Sequence, residues 1–330
     1  MIRAVIVVLI VLGLGGAGML LWSHLSASSR ATSELRDAID CVTRADEAIV
    51  PLNEAVSEQI GGSGASSETN DLSAEIDSAT ELLTEAQGHL ERARALRDHL
   101  DDRGRETLDA LDSSISARRG MVGAGEVIVD VDDAVSSSLD LLGQVMAKLS
   151  AADEKAKAAT NAANEYARYL AGEQTPTQDA NVPVSLDNEA VALVDDASGL
   201  LSQAKQAFGD ADYSAFEAYV SKRSEALHLM LDADSAVLSG DFEKAGQLVS
   251  QYNEADAAAA DLASAIPSIL SDVFVEPYAR LTSAEREKYA QSASQAAEAD
   301  VVIRRYQGVL AGTAASSAMT AATTGAAANS

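Results

Sequence analysis

Apolar positions recur at intervals of three and four along almost the whole chain, the period of a helix that buries one face. Leu35, Ile39, Val42, Ile49 and Val56 form such a seam, interrupted by Asp46 and Asn53. A connector rich in Gly and Ser (61–67) separates it from a cleaner stripe: Leu72, Ile76, Ala79, Leu83, Ala86, Leu90, Ala93 and Leu100. Asn70 or Asp71 is placed to cap that helix by accepting a backbone N–H. A break near Asp101–Gly104 precedes a third helix with Leu108, Leu111, Ile115 and Val122. A long fourth helix carries Leu139, Leu142, Met146, Leu149, Ala156, Ala163, Tyr166 and Leu170, and stops at Gly172.

Residues 172–184 hold two Pro and little apolar content, which reads as a linker. Beyond it the plan resumes. Ser185 caps a helix with Leu193, Ala197, Leu201, Ala204 and Phe208, and Gly209-Asp210 turns into one with Phe216, Val220, Leu227, Leu231 and Leu238. Gly240-Asp241 opens a third with Phe242, Ala245, Leu248, Val249 and Tyr252. Pro267 and Pro277 break the chain, Thr282 with Glu285 forms a capping box, and a last helix bears Tyr289, Ala296, Ile303, Tyr306 and Leu310. Residues 108–119 align without gaps with 213–224 at an offset of 105, and 139–153 with 242–256 at 103. Tyr166-Ala167-Arg168 recurs as Tyr278-Ala279-Arg280.

The expected fold is therefore all-α and elongated, with two antiparallel helical bundles related by tandem duplication. Their expected bounds are 25–171 and 185–311, joined by 172–184, with an uncharged Ala/Ser/Thr-rich tail at 312–330 read as disordered.

One stretch departs from the amphipathic pattern. From Ala4 to Trp22 no residue is charged. Nineteen helical residues rise about 28 Å, close to the hydrocarbon thickness of a bilayer. No small-x-small cleavage site follows, so residues 1–24 read as an uncleaved transmembrane signal-anchor that contacts the lipid bilayer through residues 4–22. Gly13, Gly15 and Gly18 spell G-x-G-x-x-G inside this run. A dinucleotide site would need an amphipathic helix next and a parallel sheet beyond, and neither pattern follows. Arg3 precedes the segment while Arg30 and Arg36 follow it, so positive charge leaves the orientation nearly balanced. A short N-terminal tail ahead of an anchor favours an extracytoplasmic soluble part.

Charge narrows the partners. With 24 basic and 51 acidic residues the net charge is −27, which argues against nucleic acid and against docking on anionic lipid through a basic patch. Cys41 is the single cysteine, so any disulfide would join two copies in a homodimer.

No motif completes a reactive constellation. Glu225-x-x-His228 has the helical spacing of carboxylate-bridged di-iron bundles, but those need a second such pair and two further Glu, and the aligned positions hold Gly120 and Gly123. Ser202-x-x-Lys205 lacks the companion motifs of penicillin-interacting serine enzymes. Asp210/Asp212 and Asp232/Asp234 lack the Gly and terminal Glu of a calcium loop. His24, His89 and His99 stand without a patterned partner.

No catalytic, cofactor-binding or metal-ligating residue and no cofactor is assigned from the sequence. The expected function is a membrane-anchored helical scaffold or protein-interaction module without catalytic activity, its protein partner undefined. The alternatives are a small-ligand sensor bundle and, further off, a ferritin-like metal protein using Glu225 and His228. No motif identifies a family; the resemblance to bacterial extracytoplasmic four-helix bundles is one of fold.

Overall fold

The structure, a computed structural model, describes the backbone of residues 2–57, 72–173 and 179–327, and side chains within 26–57, 72–173 and 179–309. These residues form seven α-helices and no strand: α1 (Ile2–Ser57), α2 (Ser73–Ala95), α3 (Asp102–Leu170), α4 (Val182–Ala207), α5 (Ser214–Leu238), α6 (Phe242–Ala263) and α7 (Asp272–Ala327). The all-α expectation holds. Good helix formers dominate the sequence, and glycine in the left-handed region ends two helices, at Gly172 (φ 76°) and Gly240 (φ 79°).

The chain divides into two compact units, Met1–Val129 with Thr282–Ser330, and Asp130–Leu281. In the first, α2 runs antiparallel to α1, since Glu34 meets His89 while Cys41 lies beside Glu85. The first half of α3 runs with α1, pairing Asp46 with Arg118 and setting Leu52 against Gly125. The later part of α7 runs against both: Tyr289 donates to Asn53, Arg286 to the Val56 carbonyl, and Ser114 to Asp300. Up, down, up, down is the order of an antiparallel four-helix bundle. Its core joins Leu35, Ile49, Leu52, Leu83, Leu90, Leu108, Leu111 and Ile128, all at most 2% exposed.

The second unit repeats that order with the second half of α3, then α4, α5 and α6. Lys148 meets Asp196 and Lys155 meets Glu189, so α4 returns along α3; Lys205 meets Glu217 across the next turn. Asp241 caps α6 by accepting the Lys244 N–H. The start of α7 adds Phe274, fully buried against Phe208 and Tyr213. The Tyr213 hydroxyl lies 2.6 Å from Ser138 Oγ and donates to the Phe208 carbonyl at 2.7 Å.

Several expected boundaries move. The third and fourth helices are one, α3, with no break near residue 130. The segment 172–184 does not separate the units, which part at Val129/Asp130 and Leu281/Thr282, within α3 and α7. The order along the chain is therefore nested, with three helices of the first unit, then all of the second, then the first unit's last helix. The last helix does not belong with 185–311. Pro277 lies within α7, and Thr282, 1% exposed, sits mid-helix and is no cap. Ser185 follows the true cap position, Asn181, because Pro183 starts the helix earlier.

Among the described residues no helix is long and apolar enough to cross a membrane. The stretch Ala4–Trp22 lies outside the residues whose side chains are described, as do Asn70, Asp71 and, for its side chains, the tail 312–330.

Candidate functional site: buried polar groups of the two units

Each unit buries one arginine and surrounds it with two aspartates from two other helices. Arg118 on α3 donates from Nε to Asp46 Oδ1 (2.6 Å), from Nη2 to Asp46 Oδ2 (2.7 Å) and to Asp300 Oδ2 on α7 (2.8 Å). Its Nη1 donates to Ser114. Burial alone would favour the neutral form, but hydrogen bonds and charge from Asp46 and Asp300 outweigh it and hold the guanidinium charged. Arg223 on α5 donates from Nε to Asp153 Oδ1 on α3 (2.7 Å) and from Nη1 to Asp256 on α6. Arg118 and Arg223 are the same position of the 105-residue offset. The order is also the same: an Asp on the first helix, the Arg on the third, an Asp on the fourth.

Residues 108–119 and 213–224 are the third helices of the two units. The match of 139–153 with 242–256 joins first and fourth helices of one unit, since Asp153 and Asp256 both face Arg223. It reflects shared amphipathic composition.

Asp46 and Asn53, the two interruptions of the α1 seam, are thereby explained. Asp46 takes the fork of Arg118, and Asn53 accepts from the Tyr289 phenol, which burial pushes up to about 12 and so keeps protonated. Both are contacts between helices, and both sit where a strict apolar pattern fails.

A second buried feature lies in the second unit. Asp187 on α4 is 1% exposed and Asp234 on α5 is 8% exposed. Neither Asp187 oxygen nor Asp234 Oδ2 meets a donor from another residue. Burial first, then the charge of Asp234 and a hydrogen bond with it, push Asp187 up to about 8; burial also raises Asp234. Two carboxyls that face one another in an apolar setting cannot both ionise cheaply, so the pair shares a proton near neutrality. The pair Asp232/Asp234 lacks the pattern of a calcium loop, and nothing in its spacing points to Asp187. The legible signal was on α4, where Asp187 starts the buried stripe Ala190, Val194, Ala197, Leu201 and Ala204.

The third feature lies where α1 meets α2. Glu34 Oε2 lies 2.7 Å from His89 Nδ1 and accepts from Arg92 Nε at 2.9 Å, while Glu85 faces Nε2 of the same imidazole and Cys41 lies within 4.8 Å of both Glu85 and His89. Cys41 is 4% exposed inside the core of the first unit.

The motifs weighed in the sequence are not brought together. His228 Nδ1 bonds its own helix at the Ser224 carbonyl (2.8 Å) and Glu225 takes Lys222 (2.5 Å). Among the described residues neither belongs to a group of potential metal ligands. Ser202 donates to the Ser198 carbonyl and Lys205 to Glu217, both on an open groove between α4 and α5. No family model, curated protein or solved structure matches the chain. The class that the fold defines is an all-α protein of two nested helical bundles.

Proposed function

We propose that this is a membrane-tethered helical scaffold or protein-interaction module, anchored through residues 4–22, with its soluble part outside the cytoplasm and no chemistry of its own. The observation that carries the reading is the repeated three-helix Arg–Asp clasp. A buried ion pair is a poor source of stability relative to apolar packing, but it penalises every helix register that leaves the cation unpaired. Two such clasps suit a part whose task is to hold a fixed surface. Phe242 (61% exposed) and Val249 (42%), seven residues apart on α6, supply apolar contact residues on that surface.

Topology is the first test. With Cys41→Ser as background, Gln251→Cys on the exposed side of α6 should react with a membrane-impermeant maleimide on intact cells. Protection in intact cells with labelling after lysis would overturn the extracytoplasmic placement. Soluble recovery without detergent would overturn the tether.

The buried Asp187–Asp234 pair favours a second reading, a bundle that binds a small cationic or hydrogen-bond-donating ligand. One metabolite that raises the Tm reproducibly in the parent chain, and not in Asp187→Asn, would replace the scaffold by that sensor.

A further inference from the structure

Helix periodicity puts Glu34, Asp37 and Cys41 on one side of α1, at spacings of three and four, and Glu85 and His89 on one side of α2, four apart. Antiparallel packing brings the two sides together. The candidate ligand atoms form two triads that share His89: Glu34, Asp37 and His89 in one, Cys41, Glu85 and His89 in the other, each within 4.8 Å.

The two triads use opposite nitrogens of the ring. Nδ1 faces Glu34 Oε2 at 2.7 Å and Asp37 Oδ2 at 3.9 Å; Nε2 faces Glu85 Oε1 at 4.0 Å. The Glu34 carboxylate also accepts from Arg92 Nε at 2.9 Å. Glu34 and Arg92 both meet Nδ1, so the edge of the ring that carries Nε2 is the one turned toward Glu85. Arg92 already supplies a cation on this side, with Nη2 2.8 Å from Nδ1, which closes the first triad to an ion.

Among the described residues no Lys or Arg forms an ion pair with Glu85 of the second triad. That triad offers an imidazole nitrogen, a carboxylate and a thiol. A carboxylate holds the imidazole from behind, the arrangement that orients metal-bound histidines. We propose that Cys41 Sγ, Glu85 and His89 Nε2 bind a borderline divalent cation of the Zn²⁺ class, with Glu34 as the residue that positions His89. One thiolate and one carboxylate balance the charge of the ion. Sulfur and nitrogen donors select zinc-like ions over calcium or magnesium, which take oxygen. Zinc ligands sit roughly 2.0–2.3 Å from the ion, so tetrahedral neighbours are about 3.5 Å apart. Glu85 is exposed and closes the remaining gap by rotation, with water completing the shell.

Burial and then the charge of Glu85, with Asp40 adding and Arg44 opposing, keep the Cys41 thiol protonated without the ion, and the thiol hydrogen-bonds to Glu85. Binding breaks the S–H bond, forms the S–metal bond and releases that proton to solvent, so affinity rises with pH.

The test uses the full chain in detergent, stripped with a chelator and titrated with Co²⁺. Cys41 is the sole thiol, so a thiolate-to-cobalt charge-transfer band reports this site alone and not the loose ion atmosphere of the acidic surface. One equivalent should saturate the band and Zn²⁺ should remove it. Glu85→Gln, on an exposed position, and His89→Gln should each weaken binding at least about tenfold, and Glu34→Gln about ten- to a hundredfold with the band shape kept. Absence of the band, or a band whose affinity is indifferent to both Glu85→Gln and His89→Gln, would overturn the site.

Discussion

Asp187 faces Asp234 inside the second unit, and no other residue donates a hydrogen bond to either Asp187 oxygen. An acid whose pKa is raised on folding keeps its proton in the folded chain after the unfolded chain has lost it. The folded state then binds more protons, and stability falls with rising pH. The fall should begin near the ordinary aspartate value of about 4 and level off above about 8. Asp187→Asn should flatten this slope and raise stability at pH 8 by about 1–2 kcal/mol, because the amide donates to the remaining carboxylate. Denaturant unfolding from pH 5 to 9 measures both. A slope unchanged in the variant would remove the shared proton.

The Arg118 clasp is asymmetric. The arginine side chain is 4% exposed, whereas Asp46 is 48% and Asp300 28% exposed. Removing both aspartates strands a buried cation and should cost about 3–5 kcal/mol. Arg118→Met leaves two carboxylates that reach water and fills the space with apolar atoms, so it should cost clearly less. The same ranking is expected for Arg223 against Asp153 and Asp256. Equal losses for the two kinds of variant would mean that the cation is better hydrated than its burial indicates.

Gly125 marks a close approach of α3 to α1. A Cβ there would stand 2.7–2.9 Å from three carbons of Leu52, which is 1% exposed. Overpacking of this kind costs about 1–3 kcal/mol, more than the roughly 1 kcal/mol that alanine gains over glycine in a helix. Gly125→Ala should therefore destabilise. At Gly143, on an exposed position of the same helix, nothing lies within 4 Å of the added carbon. Gly143→Ala should stabilise by about 0.5–1 kcal/mol. Thermal melts of the two variants side by side decide the matter by sign.

Tyr213 is 2% exposed, and its hydroxyl meets Ser138 Oγ and the Phe208 carbonyl. Tyr213→Phe leaves the Phe208 carbonyl without that donor and should cost about 1–2 kcal/mol. Ser138→Ala should follow with a smaller loss, because the Ala204 carbonyl that its hydroxyl reaches keeps the Phe208 N–H. Calorimetry on both variants would show whether the order holds.

How much was legible can be judged from single residues. The stripe from Leu72 to Leu100 was read from spacing and is buried as expected, Ile76 in part. Gly172, Gly209 and Gly240 marked real turns, because a chain reversal needs local backbone freedom that the sequence displays. Val129 and Leu281 carried no mark. The chain does not turn there; it only exchanges neighbours, and a helical backbone looks alike on both sides. The linker at 172–184 was visible and drew the domain boundary to itself. The candidate sites were illegible for a related reason. His89 and Cys41, or Asp187 and Asp234, lie 48 and 47 residues apart on different helices, so no spacing rule connects them.

The sequence by itself determined the helices, the buried face of most of them and the acidic surface, because these follow from local propensity, period and charge. Only the tertiary structure decided which helices share a bundle, that the sequence of one bundle interrupts that of the other, and that Arg118 and Arg223 are equivalent clasps. The physical reason is that an amphipathic stripe specifies a need for a partner face without specifying the partner. Shape and buried charge make that choice, through contacts such as Leu52 against Gly125 and Asp46 with Arg118, which exist only once the helices have met.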